Sequence, residues 1–243
     1  MSVSKAHIVA QLQKEILLLQ GSKPSPNSIA VNLKLGPMLQ AFPNATFPVG
    51  AIHEFISASD EDTAATSGFI SGLLAPLVRN GGTLVWISSS RILFPPALKH
   101  FGIEPDRIIF VDLQKEKELL WSMEEALKCG ALAAVVGEIP DISFTASRRL
   151  QLAVEQSQVT GFVLRRSPRQ LNTTACVTRW KITPLMSKSE DDLPGIHFPR
   201  WNVELLKVRN GKPASWQVEW VDGTFAPVYT PVATLHEWQA KTG

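Results

Sequence analysis

The sequence predicts an α/β fold with a mostly parallel central sheet, helices on both faces and an antiparallel C-terminal extension. Three observations carry this expectation. Runs that are apolar throughout, such as 83–87 and 132–136, alternate with stretches of helical periodicity, the pattern of parallel strands covered on both sides. Beyond residue 176 apolar and polar residues alternate singly, as in antiparallel strands, and Asn210-Gly211 marks a hairpin. The 243 residues are 44% hydrophobic and 19% charged with a formal charge of +2, enough apolar material for a sizeable core without disulfides or metal. That composition excludes a disordered chain, and no apolar run of about 18 residues is present to cross a membrane. Two cysteines, Cys129 and Cys176, cannot build a disulfide framework or a four-ligand zinc site. The N-terminus lacks the order of a secretory signal, so a reducing cytoplasm is the expected compartment.

In chain order, Ile8, Leu12, Ile16 and Leu19 recur at helical spacing and predict an amphipathic helix over 3–20, stopped by Gly21. Leu12, Ile16 and Leu19 are its candidate docking face, toward its own core, a further copy or another protein. Residues 21–48 hold five prolines (24, 26, 37, 43 and 48) and predict a linker or a segment laid over the domain. The core follows: a strand at 51–56, a polar loop at 57–62, and a helix at 64–78 interrupted by Pro76. Next come a strand at 83–87, a short helix at 94–101, a strand at 107–111, and a helix at 116–129 burying Leu119, Leu120, Met123 and Leu127. A strand at 132–136, a helix at 145–157 and a strand at 161–164 close the parallel part. Strands at 177–182, 202–208 and 215–221 form the antiparallel part, with an exposed loop at 187–199. The expected division is therefore 1–47 (helix and linker), 48–223 (core) and 224–243, a tail carrying Phe225, Tyr229, Leu235 and Trp238 among prolines.

A strand, loop and helix beginning at residue 51 is where a nucleotide-binding protein keeps its phosphate loop. Such a loop needs glycines that let backbone N–H groups converge on the anion, a lysine for the outer phosphates and a Ser/Thr for magnesium. Here it reads Ser57-Ala58-Ser59-Asp60-Glu61-Asp62-Thr63, with no glycine, no lysine and three carboxylates where phosphate would sit. Ser57, Asp60, Asp62 and Thr63 thus mark a degenerate loop, and the acids suit capping of the following helix. No nucleotide or other cofactor is expected. After the strand at 132–136 comes Gly137-Glu138 in place of a metal-orienting aspartate, and after 83–87 comes Ser88-Ser89-Ser90, without a carboxylate to activate water. The five histidines (7, 53, 100, 197 and 236) show no metal-ligand spacing, and no GxSxG elbow exists. His53 and Glu54 are adjacent on a strand and so point to opposite faces.

One charge cluster stands out. Residues 145–181 carry seven basic side chains (Arg148, Arg149, Arg165, Arg166, Arg169, Arg179 and Lys181) against one acid, Glu155, a local charge of +6. Arg165-Arg166-Ser167-Pro168-Arg169 reads as a loop at a strand's carboxyl end, where open α/β sheets bind ligands. Arg165, Arg166, Arg169, Arg179 and Lys181 are accordingly candidates for nucleic-acid or partner contact, with an ordinary ion-paired surface as the alternative.

The run Phe47-Pro48-Val49-Gly50-Ala51-Ile52-His53-Glu54-Phe55 resembles the start of the core in the RecA recombinase family. Residues 81–87, the run WSMEEALKCGALAAVVGE at 121–138 and the run TASRRLQLA at 145–153 are similar to the ImuA family, RecA-like accessory proteins of bacterial translesion DNA synthesis. The resemblance spans about residues 48–220. It implies a RecA-like core without an intact phosphate loop, and a non-catalytic adaptor role in SOS-induced, error-prone replication. It also implies as partners an ImuB-like Y-family polymerase relative, an error-prone DNA polymerase subunit and RecA. The alternatives are a recombinase-type ATPase with an unusual loop and a cell-division inhibitor of the SulA kind.

Overall fold

Residues 33–79, 82–186 and 198–228 are described by the structure, a computed structural model. The predicted helix at 3–20, the loop at 187–197 and Tyr229, Leu235 and Trp238 lie outside them.

The apolar runs become strands because each lies between layers that remove it from water on both sides. Among the described residues nine strands form one sheet: β1 (Ile52–Ser57), β2 (Thr83–Ser88), β3 (Ile108–Asp112), β4 (Leu132–Glu138), β5 (Thr160–Arg166), β6 (Thr178–Leu185), β7 (Arg200–Val208), β8 (Ala214–Val221) and β9 (Thr224–Pro227). Their order is β3-β2-β4-β5-β1-β6-β7-β8-β9. β3 through β6 in that order run parallel, and β6 to β9 are antiparallel. Among the described residues the α-helices α1 (Asp60–Val78), α2 (Glu116–Lys128) and α3 (Phe144–Ser157) supply crossovers, and 3-10 turns occupy Gly36–Ala41, Pro43–Ala45, Pro95–Phe101 and Pro105–Arg107.

The buried side chains divide into two clusters. Leu84 and Trp86 of β2 join one, with Phe69, Leu73 and Leu74 of α1. Val85 and Ile87, the alternate residues of the same strand, join the other, with Leu119 and Met123 of α2 and Leu150 of α3. β1 is buried along its whole length.

Several expectations are corrected. α1 begins at Asp60 rather than 64, because Ser59 caps it by accepting the Asp62 N–H at 3.2 Å. It also continues through Pro76 to Val78, since Leu73, Leu74, Ala75 and Val78 are buried around the proline and their packing outweighs one lost backbone bond. β5 extends to Arg166, so Arg165 and Arg166 belong to a strand and not to a loop. Leu33, Leu35, Met38, Phe42 and Phe47 are buried in the same cluster as β1 and α1, so the described part of the segment before residue 48 is laid over the core. The tail does not start at 224: Thr224–Pro227 is the ninth strand, and Phe225, 1% exposed, packs on Phe69 and Trp220.

Candidate functional site

β1, β4 and β5 end side by side at the carboxyl edge of the parallel sheet, where α/β proteins place their sites. The loop at 57–63 lies there, and several of its polar groups bond within it. Besides the Ser59 cap, the Asp62 carboxylate accepts from the Ala58 N–H at 3.2 Å and the Thr63 hydroxyl donates to the Ser59 carbonyl at 2.9 Å. Ser57 and Thr66 share a hydroxyl hydrogen bond of 3.1 Å in the interior. Asp60 instead turns outward and accepts from Arg166 Nη2 at 3.2 Å. A carboxylate of the chain thus sits at the start of α1, where the helix dipole and free N–H groups favour an anion.

Beside it is a cleft of about 280 Å³ lined by Asp60, Ser89, Glu138, Pro140, Arg166 and Ser167 among others. Glu138 is 5% exposed; its Oε1 accepts from the Trp86 indole N–H at 2.9 Å, and its Oε2 has no hydrogen-bond partner. Burial pushes the Glu138 carboxyl above its usual pKa, against the pull of the Trp86 donor and of Arg166. The Arg166 guanidinium is 3.9 Å from Oε2, so one arginine serves two carboxylates.

The basic residues separate into two groups. Arg165 is 1% exposed and cannot meet a phosphate; it donates to Glu54 Oε1 (2.9 Å), Asn172 Oδ1 (3.1 Å), Asp141 Oδ1 (3.3 Å) and the Pro140 and Gln170 carbonyls (3.2 and 2.8 Å). Arg179 donates to Glu54 Oε2 at 2.8 Å and to the Asn172 carbonyl at 2.6 Å. These contacts correct the expectation that Arg165 and Arg179 form a surface: a charge between two parallel strands is tolerated only when paired, and Glu54 pairs both. Lys181 is paired with Glu204 on β7 at 3.2 Å. Arg166 and Arg169, at 26% and 86% side-chain exposure and paired with Asp60 and Asp141, remain near solvent at the end of β5, and Lys181 is 39% exposed on β6.

Sequence reasoning missed Glu54 as the centre of this network. A signal existed, an acid inside a strand apolar on both sides of it, together with arginines on two later strands. Trp86 as the clamp on Glu138 had no signal short of the β2–β4 pairing.

The sheet and this carboxyl-edge cleft define a mixed α/β protein with a mostly parallel sheet and an antiparallel extension. A crystal structure of a KaiC-like protein from Pyrococcus horikoshii has the same fold, with a TM-score of 0.54 and 12% identity over 82% of this chain and 99% of that one. Protein ImuA of Caulobacter vibrioides is 37% identical over 187 residues, which are 72% of this chain and 77% of the relative, and the chain belongs to the ImuA family. Cell division inhibitor SulA of Photorhabdus laumondii is 31% identical over 100 residues, 40% of this chain and 56% of that protein. No protein-family model matches the chain. Among the described residues no helix is long and apolar enough to cross a membrane.

Proposed function

We propose that the chain is a non-catalytic, RecA-like adaptor of SOS-induced, error-prone translesion DNA synthesis. In this reading its sheet carries helices on both faces, its phosphate loop is degenerate, and it works with an ImuB-type polymerase-like protein, an error-prone DNA polymerase subunit and RecA. Membership in the ImuA family supports the system. The observation that carries the non-catalytic part is the chain's own Asp60 at the start of α1, neutralised by Arg166, in a loop without glycine or lysine. A nucleotide phosphate there meets like charge in place of converging N–H donors.

In a strain lacking the native gene, this chain restores damage-induced mutagenesis, and Glu138→Gln leaves that activity intact. Hydrolysis of ATP by the purified protein with single-stranded DNA, abolished by Glu138→Gln, would overturn the reading. DNA contact in this scheme falls to Arg166 and Arg169, so replacing both by Ala reduces salt-sensitive DNA binding, with a log–log salt slope lower by about 1–2.

The similarity to SulA over 100 residues favours a second reading, inhibition of cell division. Overexpression that blocks septation while mutagenesis stays unchanged would select it.

A further inference from the structure

An apolar groove of about 650 Å³ runs beside α1, between that helix, residues 92–101 and the adjoining ends of β6 and β7. Trp201, Phe101 and Leu98 line it with Gly68, where a Cβ would lie 3.4 Å from the Trp201 ring and 3.5 Å from the Phe101 ring. Thr63, Ser67 and Ser71 also face it, but each donates its hydroxyl proton to the carbonyl one turn back, at 2.9, 2.9 and 2.8 Å. Ile92, Phe94 and Phe198 line the groove at 54%, 67% and 56% exposure, an apolar border that a folded chain gains nothing by leaving in water. One end is acidic. Glu61 lines it and makes no ion pair among the described residues. The Ser59 hydroxyl holds the Glu61 carboxyl below its usual pKa, hence ionised at neutral pH. The cation in the lining, Arg200, is spent on Glu219 at 2.8 Å.

We propose that this groove docks an amphipathic helix of a partner protein, its apolar face inward and its basic residues against Glu61. The inference deepens the adaptor reading and rests on it for the existence of a partner. Apolar area supplies affinity, and the Glu61 carboxylate sets the direction and choice of helix.

The probe is a fluorescein-labelled Leu/Lys amphipathic peptide of about 16 residues, titrated into the full chain by anisotropy beside a Leu/Glu peptide of the same pattern. The Leu/Lys peptide binds saturably and one to one, more weakly as salt rises. Phe94→Asp with Phe198→Asp lowers affinity about tenfold, and Glu61→Lys lowers it severalfold. Both phenylalanines are exposed, so the double variant keeps its fold, which circular dichroism checks. Absence of saturable binding, equal binding of the Leu/Glu peptide or unchanged affinity in the phenylalanine variant overturns the proposal. Dimerisation of the full chain that Phe94→Asp abolishes gives the groove to a second copy and overturns it as well. Peptide binding needs no DNA damage, so a chain that binds the peptide but fails to restore mutagenesis refutes the adaptor reading alone. Restored mutagenesis without peptide binding refutes the groove alone.

Discussion

Glu54 and His53 are neighbours on β1, both fully buried, and the protein accommodates them by opposite means. Glu54 accepts from two guanidiniums, with the Thr174 hydroxyl as a further donor at 2.8 Å. Removing the acid takes the carboxylate from Arg179 and leaves Arg165 with Asp141 at 3.3 Å, so Glu54→Ala should cost about 3–5 kcal/mol in urea unfolding, the cost of breaking a buried pair. A loss below about 1 kcal/mol would mean that water already serves those arginines. His53 is instead held neutral. Its Nε2–H donates to the Pro48 carbonyl at 2.9 Å, which leaves Nδ1 to accept from the Thr178 hydroxyl at 2.8 Å, and Thr178 in turn accepts from the Trp180 indole at 2.8 Å. Burial lowers the His53 pKa from 6.5 to about 3. The unfolded chain therefore gains a proton below pH 6.5 that the folded chain refuses. This residue's contribution is complete above that pH and is lost as pH falls toward 3, at up to about 1.4 kcal/mol per pH unit. Unfolding free energy measured from pH 7 to pH 4 should fall with that added slope, and His53→Gln should flatten it.

α1 illustrates why a helix can contradict its own propensities. It contains Pro76, two glycines and several hydroxyl residues, poor helix formers by intrinsic preference. It survives because Thr63, Ser67 and Ser71 bond back along it and because its glycines let aromatic rings approach. A Cβ on Gly72 would lie 2.6 Å from the Phe225 ring and 3.0 Å from Trp220. Gly72→Ala should accordingly destabilise by about 1–3 kcal/mol, although the same change in an exposed helix stabilises. A raised melting temperature in that variant would show that the β8–β9 hairpin yields easily. Ser59→Ala removes the cap and should cost about 1 kcal/mol.

β9 ties the C-terminal end of the described chain to its beginning: the Phe225 N–H donates to the Lys34 carbonyl at 3.2 Å, and Gly36 lies against the Phe225 carbonyl. A chain ending after Val228 should keep its cooperative unfolding, whereas one ending at Asp222 should lose several kcal/mol, since Phe225 alone contributes about 3–5 kcal/mol. Equal melting curves for the two truncations would refute the role given to β9. The parallel strands, the crossover helices and the hairpin were legible in the sequence because periodicity is local, and an apolar run reports burial wherever it folds. The missing glycine and lysine of the loop at 57–63 were legible for the same reason, since they are matters of residue identity. Arg165 reads identically in one dimension whether it faces DNA or an acid. Its burial follows from strand order, which sets β1 between β5 and β6 and brings Glu54 within 2.9 Å of a residue 111 positions away. The clamp of Trp86 on Glu138 and the groove beside α1 have the same origin: contacts between distant segments depend on register and packing, and the order of residues along the chain does not carry them.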